Sequence, residues 1–303
     1  MSKRRYSTAL IVIALAAAAL FVYSVRAELA EAIGTASILF LGLLYAATLT
    51  QNVTLWLVFH ASTGAGDSYL QTSRMYFGGQ IAKYLPGKVW GLVYQATLKS
   101  VNMPMGNIVQ GNIVIYAMSV SSVVFASLAL ITYRLSIPLA TVVLVVGAAL
   151  SAYIMSSDHL YRIIQRFSRL SARLELTKSI PPTDFSMVTR VGVYLLLILS
   201  YVFSNVFLLY AFFDFDLHQV LRMSAYLGIA WLAGVIVAIS PSGIGVREAV
   251  FIGIGYVSDE SSLELYASIA IVARAIQVLQ DLVSAFLVPA FVGLGNKKDE
   301  ARA

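Results

Sequence analysis

Long apolar runs alternate with short polar or basic intervals along the chain, and each run is continuous in itself. The first covers Thr8 to Val25, the second Ile33 to about Phe59, the third Ile108 to Tyr133 and the fourth Ile137 to Met155. Arg134 to Ser136 leave room only for a tight turn, so the third and fourth runs predict an antiparallel helical pair. Apolar character resumes from Met187 to Phe213, from Val220 to Ile239 and from about Leu263 to Val292. Eighteen helical residues, the length of the first run, reach about 27 Å, enough to cross a bilayer. An unsatisfied backbone group in lipid costs several kcal/mol, and continuous runs lack the alternation of barrel strands. The pattern therefore predicts helices.

Two regions do not read as simple spans. Residues 69–100 are apolar and aromatic, but Gly78-Gly79 and Pro86-Gly87 interrupt them, and Arg74, Lys83, Lys88 and Lys99 are scattered through them. In the second region, about 239–257, Pro241 to Gly245 break the sequence and leave a short piece from Val246 to Val257. Both look like half-helix pairs that enter the membrane and turn back. Broken backbone at membrane depth is tolerated only where protein or a wet cavity surrounds it, so both breaks are candidate sites.

Composition sharpens this picture. Of 303 residues 59% are hydrophobic and 12% charged, and mean hydropathy is +0.81. A soluble domain could not hide that much apolar surface, and disorder needs the opposite balance. With the N-terminus in the cytoplasm, sixteen of the 21 Lys and Arg residues fall on the cytoplasmic side. Three (Arg26, Arg134 and Arg222) fall outside, and two (Arg247 and Arg274) lie within apolar sequence. The net charge of +6 is thus an orientation signal, predicting cytoplasmic N- and C-termini, and not a sign of nucleic-acid binding. Lys3-Arg4-Arg5 ahead of an 18-residue run, followed by Arg26 and Glu28, predict a retained first helix and not a cleaved signal. From about 156 to 186 a basic cytoplasmic loop carries Arg162, Arg166, Arg169 and Arg173 at one-face helical spacing. It reads either as a surface helix on anionic headgroups or as an ordinary positive-inside loop. With no cysteine, and with His60, His159 and His218 far apart, no metal site or cofactor is expected.

Ionisable groups within apolar spans point to function by default. The last helix carries Arg274, Gln277, Gln280 and Asp281, with Arg274, Gln277 and Asp281 on one face. Arg274 and Asp281 stand about 10 Å apart along the axis, so each needs a partner on another element. The second break supplies candidates. Gly243 and Gly245 permit a sharp turn, Pro241 removes a backbone donor, and a helix starts near Val246 whose N-terminus suits an anion. Arg247 adds a bidentate phosphate donor, and Glu248 is the natural counter-ion of Arg274. The alternative is a salt-bridged core that only staples helices together. At the first break Lys83 and Lys88 flank the Pro-Gly turn, while Tyr84 and Trp90 suit the headgroup level. Those lysines either attract a lipid phosphate or simply snorkel.

The stretches GGQIAKYLPGKVWG and PSGIGVREAV resemble the two signature regions of the lysylphosphatidylglycerol synthase/flippase transmembrane family. The second signature of that family, Pro-x-Gly-x-Gly-x-Arg-Glu, is matched by Pro241, Gly243, Gly245, Arg247 and Glu248. The first is matched at Gly79, Tyr84-Leu85-Pro86-Gly87 and Trp90. The resemblance implies movement of a lipid across the bilayer. Family members with a fused soluble aminoacyltransferase domain also make the lysyl-lipid. This chain ends at Ala303 soon after its last span, so only the lipid-moving part is expected.

The sequence thus predicts a single all-α polytopic membrane domain over 1–303, with about six full transmembrane helices and two re-entrant or broken hairpins. It sits in the cytoplasmic (inner) membrane. The expected function is a flippase or scramblase for an anionic phospholipid, glycolipid or polyprenyl-phosphate-linked lipid. No G-x-x-x-x-G-K-[ST] sequence is present, so ATP is not used by this chain. The expected substrate-binding residues are Lys83, Tyr84, Lys88, Trp90, Gly243, Gly245, Arg247, Glu248, Arg274, Gln277 and Asp281. Gly78, Gly79, Pro86, Gly87 and Pro241 are the expected turn residues. An enzyme is not expected, for want of a nucleophile–base pair. The alternatives are a membrane-embedded headgroup transferase or hydrolase, and an accessory subunit of a lipid or polysaccharide synthase. Candidate protein partners are a second copy or such a synthase.

Overall fold

The computed structural model describes residues 3–63, 68–85, 89–99, 103–133, 135–156, 186–237, 243, 245–258 and 263–300. Among these it is all-helical, with eleven helices and no strand. They are α1 (Lys3–Ser24), α2 (Arg26–Thr35), α3 (Ile38–Thr63), α4 (Tyr69–Ala82), α5 (Trp90–Leu98) and α6 (Met105–Tyr133). Then follow α7 (Ile137–Ser156), α8 (Met187–Phe212), α9 (Leu217–Ile236), α10 (Val246–Ser258) and α11 (Leu263–Glu300). Five of them, α3, α6, α8, α9 and α11, are each long and apolar enough to cross a membrane. Counting the bent pair α1–α2 as one span raises this to six. The chain has an all-α polytopic membrane fold. The basic segment 157–185, with its four spaced arginines, lies outside the described residues.

The expected spans match the helices closely except near the N-terminus. Arg26–Thr35 forms a helix of its own, bent 72° from α1, and the second span starts at Ile38 instead of Ile33. The reason is local. The bend falls at Val25 (φ −109°, ψ 20°), and Ala36 is extended (φ −70°, ψ 138°), so the second helix ends at Thr35 and the next starts at Ile38. Downstream, three helices start at clear caps. Ser186 accepts from Thr189 N–H at the start of α8, and Ser68 does the same for Gln71 at the start of α4. Asp216 and Gln219 form a reciprocal capping box on α9.

The two breaks are helical hairpins, and α11 shows how they are arranged. Near its start, Tyr266 packs on Phe251 of α10, in a cluster that also holds Val220 and Met223 of α9, at the open end of the second hairpin. Further on, Gln277 meets Arg247 at the start of α10. Asp281 then meets Lys83 and Tyr84 at the tip of the first hairpin. Near its end Gly293 approaches Leu70, at the start of α4. Gln71 Nε2 in turn donates to Leu98 O, tying that open end to the end of α5. The hairpins therefore enter from opposite ends of the bundle. Their tips meet α11 within the stretch from Arg274 to Asp281, about 10 Å of helix.

The element order repeats. An apolar helix or bent pair, a long span, a broken hairpin and a closing helix occur as α1–α2, α3, α4–α5, α6 and again as α7, α8, α9–α10, α11, with α7 too short to count among the crossing helices. The middle spans α3 and α8 pack along each other, and each hairpin's first limb packs on the closing helix of the other half, α4 on α11 and α9 on α6. A glycine sits seven residues before the hairpin proline in both halves, Gly79 before Pro86 and Gly234 before Pro241. Each glycine lies against a glycine that follows the proline. A Cβ on Gly91 would lie 3.0 Å from Gly79 O, and one on Gly243 would lie 3.0 Å from Gly234 Cα.

Gly78 and Gly79 were expected to break the helix. Instead both lie inside α4. They serve limb-to-limb contact: a Cβ on Gly78 would lie 2.2 Å from the Tyr94 ring, and one on Gly79 would lie 2.9 Å from Gln95 Nε2. Pro86, Gly87 and Pro241, the other expected turn residues, lie outside the described residues. Glycine contact also closes the second hairpin on α11. A Cβ on Gly255 would lie 2.2 Å from the ring of Tyr266, which is fully buried. Gly255→Ala is therefore expected to destabilise the protein by about 1–3 kcal/mol through overpacking. A thermal melt in detergent checks this, and an unchanged midpoint would show that the α10–α11 contact yields freely.

Candidate functional site

The site is built where the hairpin tips converge on α11. After α4 ends at Ala82 the chain turns through Lys83, Tyr84 and Leu85. Lys83 Nζ lies 2.8 Å from Asp281 Oδ2 and donates to Gln80 Oε1 at 3.0 Å. The Tyr84 hydroxyl donates to the same Oδ2 at 2.5 Å. Asp281 is 6% exposed, so its carboxylate is desolvated, and two donors on one oxygen offset that cost.

The second tip turns at Gly243 (φ 75°) and Gly245 (φ 84°), where any side chain would be strained. Glu248 Oε2 accepts the Gly245 N–H at 2.6 Å and closes the first turn of α10. One N–H of the expected anion-binding terminus is thus taken by the chain's own carboxylate. Arg247 runs back across α9, in space that two glycines leave open. A Cβ on Gly234 would lie 2.4 Å from Arg247 Cγ, and one on Gly243 would lie 2.8 Å from Arg247 Nε. The guanidinium lies over the Trp231 ring, 5.6 Å from its centroid.

Arg247 and Arg274 converge. Arg247 Nη1 donates to Gln277 Oε1 at 3.2 Å, and Arg274 Nη1 donates to the same oxygen at 3.1 Å. Arg274 Nε lies 3.9 Å from Glu248 Oε1, a loose ion pair. Asp281 is engaged by Lys83, and among the described residues no carboxylate pairs with Arg247, whose Nε finds no hydrogen-bond acceptor there. Two guanidiniums sharing one neutral oxygen repel each other, and more so away from bulk water. An anion bound between them would remove that repulsion.

These groups border a cavity of about 950 Å³, near the upper end of the range for ligand pockets. Of the residues singled out in the sequence, Lys83, Arg247, Glu248, Arg274, Gln277 and Asp281 line it. Tyr84 acts on it through Asp281, and Gly243 and Gly245 shape its edge. Trp90 is not part of the lining. It packs on the cluster of Leu10, Ala14, Ile81 and Leu85 between α1 and the first hairpin. Lys88 lies outside the described residues. Sequence reasoning missed most of the lining amides: Gln51 and Asn52 on α3, Gln95 on α5, Asn112 on α6 and Asn205 on α8. It also missed Gly234, although the spacing it shares with Gly79 could have marked it. Among the described residues, no group of three His, Asp or Glu stands close enough together to hold a metal ion.

Compared with known proteins, the chain matches no family model, no curated protein and no solved structure.

Proposed function

We propose that the chain moves an anionic lipid between membrane leaflets without ATP, as a flippase or scramblase of the lysylphosphatidylglycerol synthase/flippase kind. The observation that carries this reading is the Arg247–Gln277–Arg274 cluster, two guanidiniums on one neutral oxygen, inside a large cavity within apolar helices. A buried surplus of positive charge is costly in a membrane unless an anion visits it. The hairpins enter from opposite ends and meet at that cluster, so a headgroup held there is about equally far from both ends. Small opposed movements of the two tips would open the cavity first to one side and then to the other, while the acyl tails remain in lipid.

The test is transport in liposomes containing the purified protein, with a fluorescent anionic phospholipid and a membrane-impermeant quencher. Arg247→Ala is expected to slow transport about 10- to 100-fold, the loss of one or two charge-assisted hydrogen bonds, while the melting temperature stays near that of the unaltered protein. An unchanged rate would remove Arg247 from the mechanism. Recovery of a chemically altered lipid would replace transport by the headgroup transferase or hydrolase reading.

A further inference from the structure

The cavity holds more than charge. Eight of the chain's fifteen Asn and Gln residues line it, and they come from six helices. Local structure accounts for some of them. Asn205 donates to Tyr201 O one turn back, and Asn112 donates to Gln95 Oε1 at 2.6 Å. Others have no such role. Gln51, Asn52 and Gln280 line the cavity and make no hydrogen bond to any described residue. Unpaired amides within apolar helices are expensive, so these three imply water or a ligand on the cavity side.

An amide carries both a donor and an acceptor and has no charge. That matches hydroxyl groups, which also donate and accept, on both counts, whereas an ammonium only donates and a bare acyl chain does neither. Tyr116, 53% exposed, and Trp231 also border the cavity and add aromatic surface to it. The charges set a second condition. Lys83, Arg247 and Arg274 face two carboxylates, Glu248 and Asp281, leaving a surplus of one positive charge centred on Arg247. One surplus cation calls for one negative charge, as a phosphodiester carries.

We infer that the cavity takes a polyhydroxyl head, a sugar or cyclic polyol, joined through a single phosphodiester. The phosphate lies between Arg247 and Arg274, and the hydroxyls lie against Gln51, Asn52 and Gln280. This deepens the transport reading and rests on it for the claim that the phosphodiester belongs to a lipid.

Binding separates the two claims. Short-chain phosphatidylinositol and phosphatidylmethanol carry the same charge and differ in the hydroxyls. Native mass spectrometry of the purified full chain with an equal mixture is expected to show about tenfold more bound phosphatidylinositol, the effect of one or two net hydrogen bonds. Zwitterionic phosphatidylcholine is expected to bind more weakly than either. In the Gln51→Leu/Asn52→Leu double variant the preference for inositol is expected to disappear. These two side chains make no hydrogen bond to a described residue, so folding should survive, and a melt checks that. Gln280→Leu provides a second variant on a different helix with the same expected direction. Equal binding of phosphatidylinositol and phosphatidylmethanol to the unaltered protein overturns the inference, as does a preference that survives both variants. Preferential binding with no lipid movement in liposomes upholds the headgroup class and defeats transport. Glycerophosphoinositol competing as well as the whole lipid would assign the same chemistry to a water-soluble source.

Discussion

Asp281→Ala is expected to unlatch the first hairpin and to lower stability and transport together. The carboxylate holds Lys83 at 2.8 Å and Tyr84 at 2.5 Å, both at the tip of that hairpin. Removing it strands an ammonium beside Arg247 and Arg274 and leaves a buried hydroxyl without its acceptor. Losing one partner of a fully buried pair costs about 3–5 kcal/mol. The Lys83 side chain is 25% exposed, so cavity water brings the expected loss to about 1–3 kcal/mol. The double variant Lys83→Met/Asp281→Leu separates structure from function. With both charges replaced by apolar groups of similar size, stability is expected to return to within about 1 kcal/mol of the starting protein or to exceed it. Transport is expected to stay low, because the tip has lost the polar link through which it could release and re-form. A melting series with liposome transport on Asp281→Ala and the double variant checks this. If Asp281→Ala melts with the unaltered protein, the latch is incidental.

Much of this architecture was legible because lipid imposes a simple rule on sequence. Continuous apolar runs must be helices, and the ends of α7, α8 and α10 follow from where those runs stop. The two hairpins were legible because proline and glycine cannot be ignored at membrane depth. Glycine is ambiguous beyond that point. Gly78 and Gly79 read as a break but pack inside α4, and only the bulk opposite them, Tyr94 and Gln95, distinguishes a hinge from a contact surface. The unwinding at Ala36 left no trace either, since Ala36-Ser37 are neither breakers nor charges and the apolar signal runs across them. The charged half of the site was visible because Arg247, Glu248, Arg274 and Asp281 are costly in apolar sequence. Its amide half was not. A single Gln or Asn in a span is unremarkable, and Gln51, Gln95 and Asn112 acquire meaning only when three helices bring them to one cavity.

Gln277→Glu is expected to raise stability while abolishing transport, and this opposition of signs makes it the most informative substitution. The side chain keeps its size and keeps the oxygen that accepts from Arg247 at 3.2 Å and Arg274 at 3.1 Å. That oxygen becomes part of a carboxylate, so two bonds from charged donors to a neutral oxygen become ion pairs between full charges, which are stronger in this desolvated setting. The new charge is desolvated, but it arrives already paired with two guanidiniums, so the cost of burying it is largely offset. A higher melting temperature is expected. The same carboxylate cancels the surplus positive charge and stands where an anionic head would bind. Transport of an anionic lipid is therefore expected to fall at least about tenfold, through both electrostatic repulsion and lost hydrogen bonds. A core that only staples helices together predicts the first effect without the second. Gln277→Leu supplies the complementary case. It leaves the two guanidiniums facing each other with no shared acceptor, and it is expected to lower stability. Added anionic lipid should then restore part of the loss, because a ligand that binds only the folded state stabilises it.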